Sequence, residues 1–464
     1  MRKPSTTGFS RRGVLKASAA GAALGATASL PSRADGSSGP NIVLIVTDQW
    51  SGRAIGAHGY DGVSTPNVDR MIAAGRSVIG SYCSDPACCP ARGVLLTGRM
   101  GSENGCIINP FPLRDDVPDL GSWLKETSGY RPVYMGKWHI PGRPVGQAFD
   151  LLSYYSGNGE NCDIALARSF EGFLTNYTES RPFFSVLSLY NPHDIVYYVT
   201  LQRGSTDPAD YGLTADDLPD LPPNFVIPEE AALMSRVKRA SSDQSWSEAV
   251  WKTYRWLYNR QVEMADGVVG RILDLVWNSR FAEDTMVILT ADHGDAQGEH
   301  LLVNKQSLYE GASRVPFVVA WPGEYPAVGI DDQALVSGAD IVPTVCDLAG
   351  ISAPPNQRGV SLRPLFEGDT FEREYVPSQS LIEGRMIRSL DYKYIQFRND
   401  PVEQLFNLRD DPWELNNLAG DSAYAAILDD HRRMQDDFEG ALDNTALSIA
   451  GYDAVQEALA NGDY

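Results

Sequence analysis

The chain has 464 residues, of which 43% are hydrophobic and 21% charged, so it can bury a substantial core and has a globular composition. Its formal net charge of -21 argues against general nucleic-acid binding, which requires a basic surface. We therefore expect an anionic substrate to be bound by a few local cations, not by a broad positive field. The six cysteines are too few and too scattered to form a disulfide scaffold.

The first 34 residues have the features of an export signal. Arg11 and Arg12 precede an Ala/Gly-rich run, and Ala26–Ala28 and Ser32–Ala34 are candidate cleavage sites. This pattern is typical of a twin-arginine signal, so we exclude residues 1–34 from the fold. It predicts a periplasmic or extracellular protein that the twin-arginine translocase carries. No segment is long and apolar enough to predict a membrane span in the mature chain.

Short apolar runs between helical patterns predict the strands of a mostly parallel sheet flanked by helices. The predicted strands are Asn41–Thr47, Val133–Met135, Phe183–Leu189, Met286–Thr290 and Val315–Trp321. Helices are predicted from Thr65 to Gly75, and from Ser245 to about Asn278. The alternation predicts an α/β catalytic domain over residues 40–375, with functional residues beyond the carboxyl ends of its strands.

The character of the sequence changes near residues 372–378. Residues 385–408 alternate like short strands separated by turns, which predicts a smaller antiparallel subdomain over residues 376–440. That subdomain has a predicted late helix near residues 421–440. The segment 441–464 is acidic overall and is predicted to be a tail. Residues 203–223 are predicted to form a surface loop.

The most informative segment runs from Cys88 to Arg99 and has the sequence CCPARGVLLTGR. This spacing of cysteine, proline and arginine before Leu-Thr-Gly-Arg resembles the signature of the type I sulfatases. In that family the cysteine is oxidised to formylglycine, whose hydrated aldehyde attacks sulfur with one hydroxyl and releases sulfate through the other. The resemblance implies that Cys88 becomes formylglycine and that Arg92 braces it.

Two pairs of polar residues follow predicted strands and are candidate metal ligands. Asp48 and Gln49 follow the first strand, and Asp292 and His293 follow a later one. By the resemblance these four residues and Cys88 hold a divalent metal. Many members have Asp-Asp and Asp-Asn here, whereas these pairs look like the choline-sulfatase and phosphonate-monoesterase branch. Calcium suits oxygen ligands and is the expected metal, while the histidine makes manganese the alternative.

Lysines and histidines after other strands are candidates for the catalytic group. Met135–His139 resembles the family's Gly-Lys-Trp-His segment, and Asn191–Asp194 resembles its Pro-His segment. The resemblance implies that Lys137 and His139 contact the diol and the sulfate. It implies that His193 faces the sulfate or the leaving oxygen, where charge develops.

Three further residues are candidates for binding the substrate. The segment 298–310, which contains His300 and Lys305, resembles the family segment in which a lysine grips sulfate. Arg385 precedes the predicted second sheet and is a candidate for a sugar carboxylate or sulfate. The alternative for Arg385 is a surface salt bridge.

The resemblance extends over about residues 40 to 420 and implies an alkaline-phosphatase-like fold. It implies a sulfuric ester hydrolase that acts on a sulfated small molecule or oligosaccharide, with a sulfated carbohydrate favoured. A formylglycine-generating enzyme would be its partner in maturation. Two alternatives stay open: a phosphonate monoester or phosphodiester hydrolase, and a catalytically inactive carbohydrate-binding or structural protein on the same scaffold.

Overall fold

The computed structural model describes residues 39–154, 157–199, 207–226, 246–380, 383–398, 400–451, 453–455 and 457. The predicted export signal, residues 1–34, lies outside this part of the chain. Among the described residues, no helix combines the length and the apolar character that a membrane crossing requires.

The larger sheet has eight strands, with its most buried parallel strands at the centre. Its strands are β1 (Asn41–Asp48), β2 (Arg76–Tyr82), β3 (Arg131–Gly136), β4 (Asp150–Ser153), β5 (Phe183–Pro192), β6 (Thr285–Ala291), β7 (Phe317–Ala320) and β8 (Gly329–Ser337). They lie in the order β4-β3-β5-β1-β6-β7-β2-β8. β1 is parallel to both of its neighbours, β5 and β6, and all its residues are buried. The continuous apolar sequence of β1 follows from this coverage on both faces.

β7 corrects one prediction, because it runs antiparallel to β6 and β2. The apolar run Val315–Trp321, which contains this strand, predicts a parallel strand. The chain between β6 and β7 contains only short helical turns and no helix long enough to cross the sheet. β7 therefore starts at the edge where β6 ends and runs back. A strand that is buried on both faces has the same apolar pattern whether it runs parallel or antiparallel to its neighbours.

Helices cover both faces of the larger sheet. They are α1 (Pro66–Ala73), α2 (Cys88–Thr97), α3 (Gly101–Asn104), α4 (Leu120–Thr127), α5 (Val145–Ala148), α6 (Gly159–Asn176), α7 (Ile195–Val199), α8 (Glu248–Trp277), α9 (Glu310–Ser313), α10 (Ile341–Leu348), α11 (Arg363–Glu367), α12 (Ala425–Ala441) and α13 (Thr445–Ala450). Val43 and Ile45 of β1 pack in the core formed with α1, α6 and α8. Ile42 and Leu44 pack in the opposite core, formed with α2, α4 and α10. The two cores follow from the alternation of side chains along a strand.

A second, four-stranded antiparallel sheet follows the larger one in sequence. Its strands are β9 (Val376–Ser380), β10 (Gly384–Arg388), β11 (Tyr392–Phe397) and β12 (Glu403–Asn407), in the order β12-β11-β10-β9. One face packs against α12, and the other packs against residues such as Tyr82 and Tyr309. The predicted fold class, a mostly parallel α/β sheet with a smaller antiparallel sheet, is confirmed. The described part of the predicted loop 203–223 forms the short turns Pro208–Tyr211 and Ala215–Asp217.

A buried lysine joins the two sheets. Lys393 of β11 is fully buried, and its Nζ lies 3.0 Å from Glu310 and 2.9 Å from Glu414. Glu414 also accepts a hydrogen bond from the backbone N–H of Glu310, at the start of α9. Glu310 also lies 3.6 Å from the guanidinium of Arg314, so Glu414 is the buried carboxylate that depends most on this ammonium for its compensating charge.

The Lys393→Ala variant is therefore expected to lose about 3–5 kcal/mol of unfolding free energy, because the buried carboxylate of Glu414 loses its cationic partner. Denaturant-induced unfolding measures this loss. Lys252→Ala is the control, because Lys252 pairs with Glu248, an exposed residue on the same helix, and removal of such a pair costs less than about 1 kcal/mol. Equal losses in the two variants would contradict the role assigned to Lys393.

Candidate active site

The candidate residues converge because neighbouring parallel strands end at one edge of the larger sheet. Asp48 is the last residue of β1, and Asp292 and His293 directly follow β6. Lys137 follows β3, and His193 follows β5. Since β3, β5, β1 and β6 are adjacent and parallel, their carboxyl ends bring these side chains together.

Arg92, in α2, connects three of these strand ends. Its Nη2 lies 3.0 Å from a carboxylate oxygen of Asp48, and its Nε lies 2.8 Å from a carboxylate oxygen of Asp292. Its Nη1 donates to the carbonyl of Lys137 at 2.9 Å and to the hydroxyl of Ser188 at 2.8 Å. The guanidinium thus uses its fixed fork of donors to hold three strand ends in one arrangement.

Cys88, the first residue of α2, lies at the centre of the cluster. Its sulfur is 2.7 Å from the Nζ of Lys305 and 3.2 Å from the Nε2 of His293. His139 and His193 also hydrogen-bond to this sulfur. The Nδ1 of His293 faces the carbonyl of Gly294 at 2.8 Å, and a carbonyl only accepts. The proton of a neutral His293 ring therefore belongs on Nδ1, which leaves the Nε2 lone pair facing the cluster.

The charges around Cys88 favour its thiolate. Burial alone would raise the pKa of the thiol, but Lys305, Lys137 and His293 lower that pKa well below its ordinary value. A negative charge at the Cys88 sulfur is therefore stabilised by a fixed set of cations and donors. The same set can stabilise negative charge on another group that occupies this position.

The donor atoms present fit a divalent cation. Ligand atoms of four buried residues lie within 4.8 Å of one another: Asp48, Cys88, Asp292 and His293. The side-chain Oε1 of Gln49 is also buried, and it has no hydrogen-bond partner among the described residues. The backbone N–H of Gln49 donates to a carboxylate oxygen of Asp292 at 3.1 Å, so this residue adjoins the cluster, and its unpartnered amide oxygen is the kind of donor that a hard cation prefers.

The two carboxylates differ in their surroundings. Burial alone would raise the pKa of Asp48, but Lys137 and His193 outweigh burial and lower it. Burial, together with the charge of Asp48, raises the pKa of Asp292. A cation placed between the two groups would reduce this repulsion, so the electrostatics agree with the donor set.

Two predicted substrate ligands lie elsewhere. His300 is 1% exposed, and its ring stacks on Tyr309 at 3.9 Å between centroids, with Nε2 3.3 Å from Asn224. The turn that holds it has positive φ at His300 and Leu301. Arg385 is buried and forms an ion pair with Glu439 of α12 at 2.6 Å. The structure therefore supports the salt-bridge alternative for Arg385, although that pair is partly buried and not at the surface.

Some residues that support the cluster were not identified from the sequence. Ser188 lies within β5 and accepts from Arg92, but its position in an apolar run gave no sign of this role. Asp295 and Tyr254 form hydrogen bonds behind Gln49. Asp295 lies two residues after His293, which was a usable signal. Tyr254 is one of several aromatic residues in α8, and nothing in the sequence distinguishes it from the others.

Comparisons with known proteins identify the family to which the chain belongs. A family model described as Sulfatase matches residues 40–351, and one described as N-sulphoglucosamine sulphohydrolase, C-terminal, matches residues 298–439. The chain is 29% identical over 431 residues to Delta 4,5-hexuronate-2-O-sulfatase of Bacteroides thetaiotaomicron, which covers 86% of this chain and 88% of that protein.

Two solved structures share the fold. A 2-O GAG sulfatase has a TM-score of 0.75 at 28% identity, over 86% of this chain and 92% of that one. The phosphonate monoester hydrolase of Agrobacterium radiobacter has a TM-score of 0.73 at 22% identity, over 88% of this chain and 97% of that one. The Sulfatase model spans more than half of the sequence. The chain therefore belongs to the sulfatase family and is a sulfatase.

Proposed function

We propose that the chain hydrolyses sulfate esters of carbohydrates, with a formylglycine made from Cys88 and a divalent metal held beside it. The contact of the Cys88 sulfur with Lys305 and His293, at the point where Asp48 and Asp292 converge, is the observation that carries the proposal. In a family whose signature cysteine is oxidised, this sulfur marks the position of the nucleophile. Formylglycine would supply there a hydroxyl that attacks sulfur and a second one that allows sulfate to leave.

The surrounding side chains have roles that their positions support. Lys305 and Lys137 would stabilise the charge of the transferring sulfate, since both stabilise negative charge at the sulfur of Cys88. His139 and His193 hydrogen-bond to the same atom, so either ring could hold a proton for the leaving oxygen. Arg92 would hold the first turn of α2 in a fixed position relative to Asp48, and would not itself contact the substrate.

The proposed metal ligands are Asp48, Gln49, Asp292, His293 and the group formed at Cys88. A bound divalent cation would supply Lewis-acid charge that stabilises the transferring group. Three of the side chains offer oxygen atoms, so calcium is the proposed ion, and the nitrogen of His293 keeps manganese as the alternative. Asp48 and Asp292 are both fully or almost fully buried, so the ion would be shielded from bulk water.

The proposed substrate class follows from relatives whose names specify sulfated hexuronate and GAG substrates. His139 is exposed, and Lys137 and His193 are partly accessible, so the sulfate would enter from their side of the cluster. The sequence of residues 1–34 supports export by the twin-arginine translocase to the periplasm or beyond. That route is compatible with prior oxidation of Cys88 by a formylglycine-generating enzyme.

The first test is the chemical state of Cys88. In protein co-expressed with a formylglycine-generating enzyme, mass spectrometry of the peptide that contains residue 88 is expected to show an aldehyde at this position. The Cys88→Ala variant should lose at least about 10³-fold of its turnover of 4-nitrophenyl sulfate, because the nucleophile is gone. Cys89→Ala is the matched control and should keep its activity. Fully active protein with an unmodified Cys88 thiol would contradict the mechanism.

The second test separates the sulfatase from a phosphonate hydrolase on the same scaffold. Gln49 and His293 motivate the alternative, because this pair resembles that branch of the superfamily. We expect kcat/KM for 4-nitrophenyl sulfate to exceed that for 4-nitrophenyl phenylphosphonate by at least about tenfold, or about 1.4 kcal/mol of transition-state stabilisation. Both rates are measured on one enzyme preparation, and a preference for the phosphonate would reverse the assignment.

The third test concerns Arg92. The Arg92→Lys variant keeps a positive charge but cannot donate to Asp48, Asp292 and Ser188 at once, so the strand ends should shift. A displacement of about 1 Å at a reacting centre can cost about 100-fold, and we expect a loss of that size in kcat. Steady-state kinetics measure the loss, and circular dichroism checks that the variant is folded. A folded variant with unchanged kcat would show that the bridge is dispensable.

A further inference from the structure

We propose that Asp295, held by Tyr254, is a positioning residue that fixes the side-chain amide of Gln49 with its oxygen towards the metal ion. The inference rests on the metal centre of the proposed function. It concerns the residues that hydrogen-bond to the Gln49 amide and so determine which end of that amide faces the ion. An amide has an acceptor at one end and a donor at the other, and only the oxygen can serve as a ligand for a hard cation.

The surroundings of Gln49 distinguish the two ends of its amide. Its Nε2 lies 2.8 Å from a carboxylate oxygen of Asp295 and 3.4 Å from the side-chain oxygen of Asn304. Both atoms are acceptors, so a reversed amide would place an oxygen against two oxygens. The Oε1 at the other end is buried and has no partner among the described residues. Asp295 and Asn304 therefore orient the amide, and its oxygen is left as an acceptor without a partner among the described residues.

Asp295 is itself held in place on its other oxygen. The hydroxyl of Tyr254 donates to Oδ1 at 2.6 Å, and the backbone N–H of Gln297 donates to the same atom at 2.8 Å. These two donors occupy Oδ1 and leave Oδ2 for Gln49. Tyr254 is fully buried in α8, so a long helix outside the cluster sets the position of this carboxylate.

The same tyrosine contacts the loop that contains Lys305. The Tyr254 hydroxyl accepts from the backbone N–H of Asn304 at 3.2 Å, and Asn304 directly precedes Lys305. Lys305 in turn lies 2.7 Å from the Cys88 sulfur. The contacts of Tyr254 therefore link the candidate ligand Gln49 to the residue proposed to bind sulfate. Partners of this kind behind a metal ligand typically change metal affinity by about 10–100-fold.

The test is a calorimetric titration of Ca²⁺ into metal-stripped protein, repeated with Mn²⁺. In the Asp295→Asn variant the new amide can donate to Gln49, so the Gln49 amide can reverse and present its NH₂ group to the ion. The dissociation constant for Ca²⁺ should then rise by about 10–100-fold. Tyr254→Phe should give a smaller rise, because Gln297 still donates to Asp295.

A double variant separates orientation of the amide from general support of the fold. In Gln49→Glu/Asp295→Asn, the introduced carboxylate accepts from the introduced amide and still presents an oxygen to the ion. Ca²⁺ affinity should return to the wild-type value or exceed it. Asp266→Asn is the matched control, because Asp266 is a buried aspartate in α8 that also accepts from a side-chain amide, that of Asn67. Its affinity for Ca²⁺ should be unchanged.

The outcomes distinguish this inference from the proposed function. Wild-type Ca²⁺ affinity in Asp295→Asn, or failure of the double variant to restore a lost affinity, would overturn the inference and leave the sulfatase assignment intact. Ca²⁺ binding that follows the expected pattern, in protein that does not turn over sulfated carbohydrates, would support the inference and overturn the substrate proposal. A wild-type protein that binds neither Ca²⁺ nor Mn²⁺ would overturn both the metal centre and this inference.

Discussion

The guanidinium of Arg92 lies between the carboxylates of Asp48 and Asp292, and the arrangement of the whole cluster depends on this bridge. Two carboxylates at the ends of adjacent strands repel each other, and burial removes the water that would otherwise screen them. Arg92 compensates both charges and also ties α2 to the sheet. Because Cys88 begins α2, the group that compensates the carboxylates also sets the position of the sulfur.

The cluster reconciles a strongly acidic chain with an anionic substrate. The net charge of -21 is spread over the molecule, whereas Lys137 and Lys305 lie within a buried site. Charges in a shielded site interact more strongly than charges in water, so two lysines there outweigh many distant carboxylates. Binding of a sulfate therefore does not require a positive surface. It requires a few cations that the fold holds in fixed positions.

The sequence was sufficient for the fold class, and it pointed to most of the cluster because Asp48, Asp292 and Lys137 lie at or just after strand ends and Cys88 opens a helix. The sequence was not sufficient where a pattern does not specify the direction of a strand or the partner of a side chain. The apolar run of β7 is the same in either direction, and the mixed sequences of β2 and β8 do not resemble buried strands. His300 shares a segment with Lys305, but its ring stacks on Tyr309. Tyr254 gave no signal, since its role depends on a neighbour 41 residues away.

The complete burial of Cys88 also has a consequence for the timing of the oxidation that we propose for its thiol. Its contacts His293 and Lys305 lie 205 and 217 residues further along the chain, so the site closes only when distant segments meet. During synthesis, residue 88 leaves the ribosome long before those partners do, and domains fold as their segments become available. An enzyme that oxidises this thiol therefore has its opportunity on the growing or unfolded chain. Rapid folding would compete with oxidation, and slow pairing of the distant strands would favour it.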